Sequence, residues 1–319
     1  GGAVTLGDAA ADVVTLSGSS VTLAVTGTTT VNAIVNGNQD LIINSTGSSA
    51  FNAAVGGAVP ATEIGDGTGA AITIGANAGP VTFASTVRVK SGITQDGTAG
   101  LVTFRDNVTI AAGDTASTFN GNVTLDGLTF DSARGVTFGD AATDTVTLSS
   151  GDVTLAVDEA TVFNALVDGG QDLIINSVGT TVFNAAVGSG TAIGDGTGAS
   201  IAIGAGAGAV TFNTTLQTAT GITQNGTAGL VTFDGDVNIV GAGTATVLNG
   251  NVTLDGLTFT SAGAVTFGDA GTDTLTLSEG NVTLAVTGVT TVNAATDGAF
   301  DLVINSTGST TFNAPVGFN

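Results

Sequence analysis

The chain has no cysteine, methionine, tryptophan, tyrosine or histidine, and only 3 prolines. Without Cys there is no disulfide and no thiolate metal site, and the redox compartment is left open. Without His and Cys, the familiar nucleophile–base arrangements and imidazole general bases are excluded. Basic residues are scarce too: 4 Lys and Arg stand against 26 Asp and Glu, a net charge of −22. Displacing counterions from a phosphate backbone or an anionic lipid surface takes Lys and Arg, so neither nucleic acid nor a membrane is an expected partner. No apolar run approaches the length of about 18 residues that a spanning helix needs. There is no basic, then apolar, leader and no initiator Met, so the chain reads as a mature or excised piece. Trypsin would find at most four sites, which suits a setting outside the cell.

What remains is unusual. Gly makes up 50 of 319 residues, Val, Thr and Ala are abundant, hydrophobic residues make up 42% and mean hydropathy is +0.46. Disordered chains are poor in Val, Ile, Leu and Phe, so this composition points to a packed interior. A long repeat runs through it. Val4-Thr-Leu-Gly-Asp8 returns as Val136-Thr-Phe-Gly-Asp140 and again as Val265-Thr-Phe-Gly-Asp269, the second step slightly shorter than the first. "NGNVTLDGLTF" at 120–130 recurs letter for letter at 249–259, and the difference in step traces to an insertion, "GAVPATE", at 57–63. The long copies span approximately 4–135, 136–264 and, in part, 265–319 of one continuous domain, 1–319.

A shorter period, of about 20 positions, lies inside it. Val162-Phe-Asn-Ala165 returns as Val182-Phe-Asn-Ala185, and Val31-Asn-Ala33 and Val292-Asn-Ala294 are followed by Phe51-Asn-Ala53 and Phe312-Asn-Ala314 at the same interval. Between these pairs come short Val-Thr-Phe-like pieces bounded by Gly, Asn, Asp or Ser, which read as strands joined by turns. No stretch has helical periodicity. A membrane barrel needs longer strands and aromatic girdles, and a sandwich needs no position-matched repeat. A solenoid does, because residues one rung apart stack directly.

The sequence therefore predicts an all-β parallel β-helix (β-solenoid) with about 20 residues per rung, an elongated rod of about 16 rungs spaced by the usual strand separation. Phe163 and Phe183 are expected to stack inside, and Asn32 with Asn52, Asn164 with Asn184 and Asn293 with Asn313 to form side-chain amide ladders.

Segments such as "GTTTVNAIVNGNQDLIINSTGSSAFNAAVGG" resemble the repeats of very large bacterial secreted surface proteins, the filamentous-haemagglutinin-like adhesins and autotransporter passengers. The resemblance covers the whole chain and rests on repeat composition. It implies right-handed β-helical stalks, export to the cell surface and a role in adhesion or surface fibres, and it carries over no catalytic residue.

Candidate chemistry is thin. Asp8/Asp12, Asp140/Asp144 and Asp269/Asp273 recur in "GDAAAD", "GDAATD" and "GDAGTD". Paired carboxylates can hydrolyse glycosides or take part in a Ca²⁺ site, but recurrence in every copy favours turn residues, and copies about six rungs apart share no ion. Calcium is the one cofactor candidate. The "GDGTGA" pieces at 65–70 and 194–199 lack the Lys and the helix of a phosphate loop. Sequons at Asn122 and Asn251 come easily in so Asn- and Thr-rich a chain. Arg88, Lys90, Arg105 and Arg134 are the only cations and mark a candidate lateral contact with the acidic face of a neighbouring chain. Thr-rich strands at 143–149 and 272–278 raise an ice-binding reading, weakened because adjacent rungs vary.

The expected function is structural and non-enzymatic: a subunit or segment of an extracellular bacterial filament or adhesin stalk, partnered head-to-tail with itself or with a continuation of a longer chain. Neither end of the sequence offers a capping segment, and an open solenoid end exposes unpaired strand edges. The alternative is a glycan-binding or glycan-cleaving β-helix.

Overall fold

The computed structural model describes residues 2–57, 62–96, 100–225 and 229–317. Residues 58–61 of the insertion lie outside the described residues, as do 97–99 and 226–228. The chain forms two compact units, residues 1–160 and 161–319. Both are parallel β-solenoids without a helix, about 14 turns in all with about 21 residues in a turn.

In the first unit the strands fall on three faces. Val4–Leu6, Val13–Leu16 and Val21–Leu23 make the first turn, and every later turn adds one short strand, or a single bridging residue, to each face. On the first face Val4 pairs with Thr29, Thr29 with Ser49, Ser49 with Val81, Val81 with Val102 and Val102 with Val123. Turn length thus drifts, from the short turn between Thr29 and Ser49 to the long one between Ser49 and Val81. Such enlarged turns explain why there are fewer of them than a strict short period predicts. The second unit is built alike, its first face running from Thr161 to Thr181, Val210, Val231 and Val252.

The triplet Val-Thr-Phe explains the strand. β-branched and aromatic residues favour extended backbone, and alternation sends the outer two side chains inward and the central Thr outward, the buried–half-buried–buried pattern of Val81–Phe83. Twelve Phe side chains are fully buried, each worth roughly 1.5–3 kcal/mol of transfer free energy. They form columns. In the first unit Phe51, Phe83 and Phe104 stack at 5.1 and 5.2 Å, and Phe104 meets Phe119 of another face edge-on at 5.8 Å. In the second, Phe163, Phe183, Phe212 and Phe233 stack at 4.7, 4.8 and 5.4 Å. Corners demand glycine where space and backbone both require it: Gly7 has a φ of +74°, and a Cβ there would lie 2.7 Å from that of Ala33.

The long repeat is not a whole number of turns. From Val4 on the first face, five turns lead to Val123, and its repeat counterpart Val136 lies two faces further, on the third face. In the second unit Thr161 and its counterpart Thr290 stand in the same relation. Each copy is therefore turned by a third of a revolution against the one before it.

Candidate functional surfaces

The recurrent aspartates are turn residues. Asp12 Oδ2 accepts from the backbone N–H groups of Asp8 and Ala9 at 2.9 and 3.1 Å. Asp144 does the same for Asp140 and Ala141, and Asp273 for Asp269 and Ala270. The donated backbone hydrogen bonds, Asp8 first, hold the Asp12 carboxyl below its ordinary range. Each pair thus spends one carboxylate oxygen on fixing its own corner. Among the described residues no group of three or more acidic side chains converges in a way that could hold a metal ion.

The "GDGTGA" pieces belong to the enlarged turns. Gly65, Gly67 and Gly69, like Gly194, Gly196 and Gly198, have positive φ. Asp66 Oδ1 accepts from its own Thr68, N–H and hydroxyl, and Asp195 from Thr197. Other amides of these loops are taken up by the protein's own carboxylates, Asp66 N–H donating to Asp40 Oδ1, Gly69 N–H to Asp114 Oδ1 and Asp195 N–H to Asp172 Oδ1. The sequon residues Asn122 and Asn251 are likewise engaged, accepting from the backbone N–H of Thr145 and Thr274 at 2.9 Å.

The amide ladders are present as hydrogen bonds. Asn52 Nδ2 donates to Asn32 Oδ1 at 2.9 Å, Asn184 to Asn164 at 2.8 Å and Asn313 to Asn293 at 2.9 Å. Asn213 lengthens the middle ladder, donating to Asn184 at 2.7 Å. The sequence reading missed it because an enlarged turn carries it well past the short interval that separates Asn164 from Asn184. Two buried glutamines were missed as well. Gln95 and Gln224 occupy inward positions where Val or Phe is usual, and their Nε2 groups donate to the carbonyls of Gly100 and Gly229. The signal was available: a Gln closing both "ITQ" triplets.

The four cations are engaged within the first unit. Arg88 Nε lies 2.7 Å from Glu63 Oε1, whose side chain is only 6% exposed, and Arg134 pairs with Glu159 at 2.8 Å while donating to the Gly113 carbonyl. Arg105 lies 3.6 Å from Asp126, and Lys90 donates to Asn38 Oδ1 at 3.0 Å. The band offered to a neighbouring chain therefore has partners within its own unit, while the Arg105 side chain stays 58% exposed.

The threonines align better than the sequence suggests. On the first face of the first unit the outward central positions are Thr5, Thr30, Ala50, Thr82, Thr103, Thr124 and Thr147. Turn-length drift hides this file from a fixed-period scan. The next outward rank includes Arg105 and Asp126, so an ion pair borders the file and interrupts the flat hydroxyl array an ice face needs.

Two acidic positions in the second unit stand out. Phe233 pairs with Leu254, so Asp234 and Asp255, one residue on, are neighbours across adjacent turns. Burial first, and then Asp234, push the Asp255 carboxyl up to about 6, and its Oδ1 is buried without a hydrogen-bond partner.

At the start of the first unit the interior opens as an apolar mouth of about 90 Å³, lined among others by Leu6, Leu16, Val21, Leu23, Val31 and Phe51. In the second unit's last turns Phe300, Val303, Ile304 and Val316 are 40–55% exposed. No protein-family model, no curated protein and no solved structure matches this chain, so its function is argued from the register and chemistry of its own turns.

Proposed function

We propose that this chain is a structural protein, a segment or subunit of an extracellular bacterial filament or adhesin stalk, and that its open solenoid edges join head-to-tail to further turns, of a second copy or of a longer chain. The observation that carries the reading is the apolar mouth of the first unit. Val4–Leu6, Val13–Leu16 and Val21–Leu23 border it, and among the described residues each pairs with a later strand on one side only. Three parallel edges around an apolar opening match another turn of the same kind, which supplies strand partners and Val, Leu or Phe side chains together. The last turns of the second unit offer such a turn, with Leu302–Ile304 and Thr310–Phe312 each paired on one side and apolar side chains partly exposed. Contacts between unlike ends continue indefinitely rather than closing. The Phe columns and Asn ladders suit a spacer, since they stiffen runs of turns without building a singular site. The likeness to secreted surface proteins supports the extracellular setting.

The test is negative-stain microscopy and light scattering of the full chain over a range of concentrations. End-to-end fibres that lengthen with concentration, and shorten in a Leu6→Lys/Leu23→Glu variant, are expected. Single-chain particles at all concentrations would refute head-to-tail assembly.

A further inference from the structure

In the second unit the residues following the inward column form one file. Phe163, Phe183, Phe212, Phe233, Leu254 and Leu277 are in register, so Asn164, Asn184, Asn213, Asp234, Asp255 and Ser278 follow one another along the surface. The amide bonds in this file share a direction: each Nδ2–H donates to the Oδ1 of the preceding turn, Asn213 to Asn184 and Asn184 to Asn164. The next donor, toward Asn213, would have to come from Asp234. An ionised carboxylate has none to give, and Asp255 behind it has none either.

The same file in the first unit shows a different solution. There Phe51, Phe83, Phe104, Leu125 and Leu148 are followed by Asn52, Ala84, Arg105, Asp126 and Ser149. Arg105 faces Asp126 as a permanent cation, and the Ser149 hydroxyl donates to Asp126 Oδ1. One long repeat further on, Arg105 becomes Asp234, and Ser150 becomes Glu279. The neighbourhood of one aspartate thus loses a positive charge and gains two carboxylates. Nothing nearby offsets them, because residues 161–319 contain neither Lys nor Arg. The titratable groups facing Asp255 are Asp234 from the turn before and Glu279 from the turn after. Asp236, the next acid along from Asp234, accepts from the Thr258 backbone N–H at 2.8 Å.

We propose that Asp234 and Asp255 form an acid-closed joint: a proton taken up by Asp255 gives its carboxyl the hydrogen bond to donate to the Asp234 carboxylate, tying together two adjacent turns beyond the end of the amide ladder. Asp255 Oδ1 is buried and accepts no hydrogen bond, and the side chain within hydrogen-bonding reach of this carboxyl is that of Asp234. The sign follows from linkage. The folded-state value of Asp255, about 6, lies above the ordinary 3.8, so the native state binds the proton more tightly. The contribution is complete below the unfolded value and is lost as pH rises through about 6. The first unit, with arginine in that place, has no such joint. This inference is independent of the proposed function, since it concerns one chain alone.

The test uses the full chain and its Asp234→Asn variant, in which an amide donor continues the ladder at any pH. Aspartate side-chain carboxyl NMR should show one carboxyl of the wild type titrating near pH 6, and the thermal midpoint should fall between pH 5 and 7.5. Asp234→Asn, and Asp234→Arg, which restores the first unit's pairing, should lower the midpoint of that carboxyl and shrink the fall, burial of Asp255 leaving a remainder. Asp131→Asn, altering another carboxyl raised by burial, should keep both as in the wild type. Wild-type carboxyls that all titrate below pH 5, or an Asp234→Asn protein with an undiminished fall, would overturn the proposal.

Discussion

Replacing Phe183 by alanine tests whether the aromatic column holds the second unit together. Phe183 is completely buried, with Phe163 at 4.7 Å on one side and Phe212 at 4.8 Å on the other, both nearly parallel to it. Truncating a buried Phe to Ala costs about 3–5 kcal/mol, the transfer term plus the cavity left behind. The two stacked contacts, each about 0.5–1.5 kcal/mol beyond area burial, place this site in the upper half of that range. Phe183→Leu keeps most of the volume and should cost about 1–2 kcal/mol. Because each turn touches only its neighbours, the damage should be local. The chain has no Trp or Tyr to report by fluorescence, so peptide-resolved hydrogen exchange is the assay. At roughly 1.4 kcal/mol per tenfold, amides of Thr161–Phe163, Thr181–Phe183 and Val210–Phe212 should exchange up to about a thousandfold faster in Phe183→Ala, while those of Ser49–Phe51 are unchanged. Acceleration below tenfold, or acceleration spread equally over both units, would refute the column as the source of stability.

Removing Arg88 (Arg88→Met) should destabilise the first unit by about 2–3 kcal/mol, below the usual range for a broken buried pair because Arg88 is partly exposed; adding Glu63→Gln should recover most of it in chemical denaturation. Arg134→Ala should cost under about 1 kcal/mol through its ion pair, since both partners are exposed. Ser150 holds a φ of +63°, and Ser150→Gly should raise stability by about 1 kcal/mol by relieving left-handed strain. Burial and then Asp158 raise the Asp131 carboxyl, so Asp158→Asn should lower its titration midpoint by carboxyl NMR, and the stability Asp131 contributes should fade as pH rises through its folded value.

The solenoid was legible because stacked rungs repeat their letters: Phe163 over Phe183 and Asn32 over Asn52 follow directly from one short, regular step. Legibility failed where turn length changed. Asn213, the aligned threonines and the Asp234/Asp255 pair all depend on registers longer than that step, and a fixed period slides past them. The partners of the four cations were hidden for another reason. Arg88 reaches Glu63 only through an inserted segment, and Arg134 reaches Glu159 a full turn away, so neither pairing leaves a local mark.

A repeat of five turns and two faces makes duplication behave like a screw thread rather than a comb. Within the first unit the carboxylate-capped corner at Asp8 and Asp12 comes back at Asp140 and Asp144 on a different flank. A partner approaching that unit from a single side would meet one of the two corners, whereas a sheath around it would meet both.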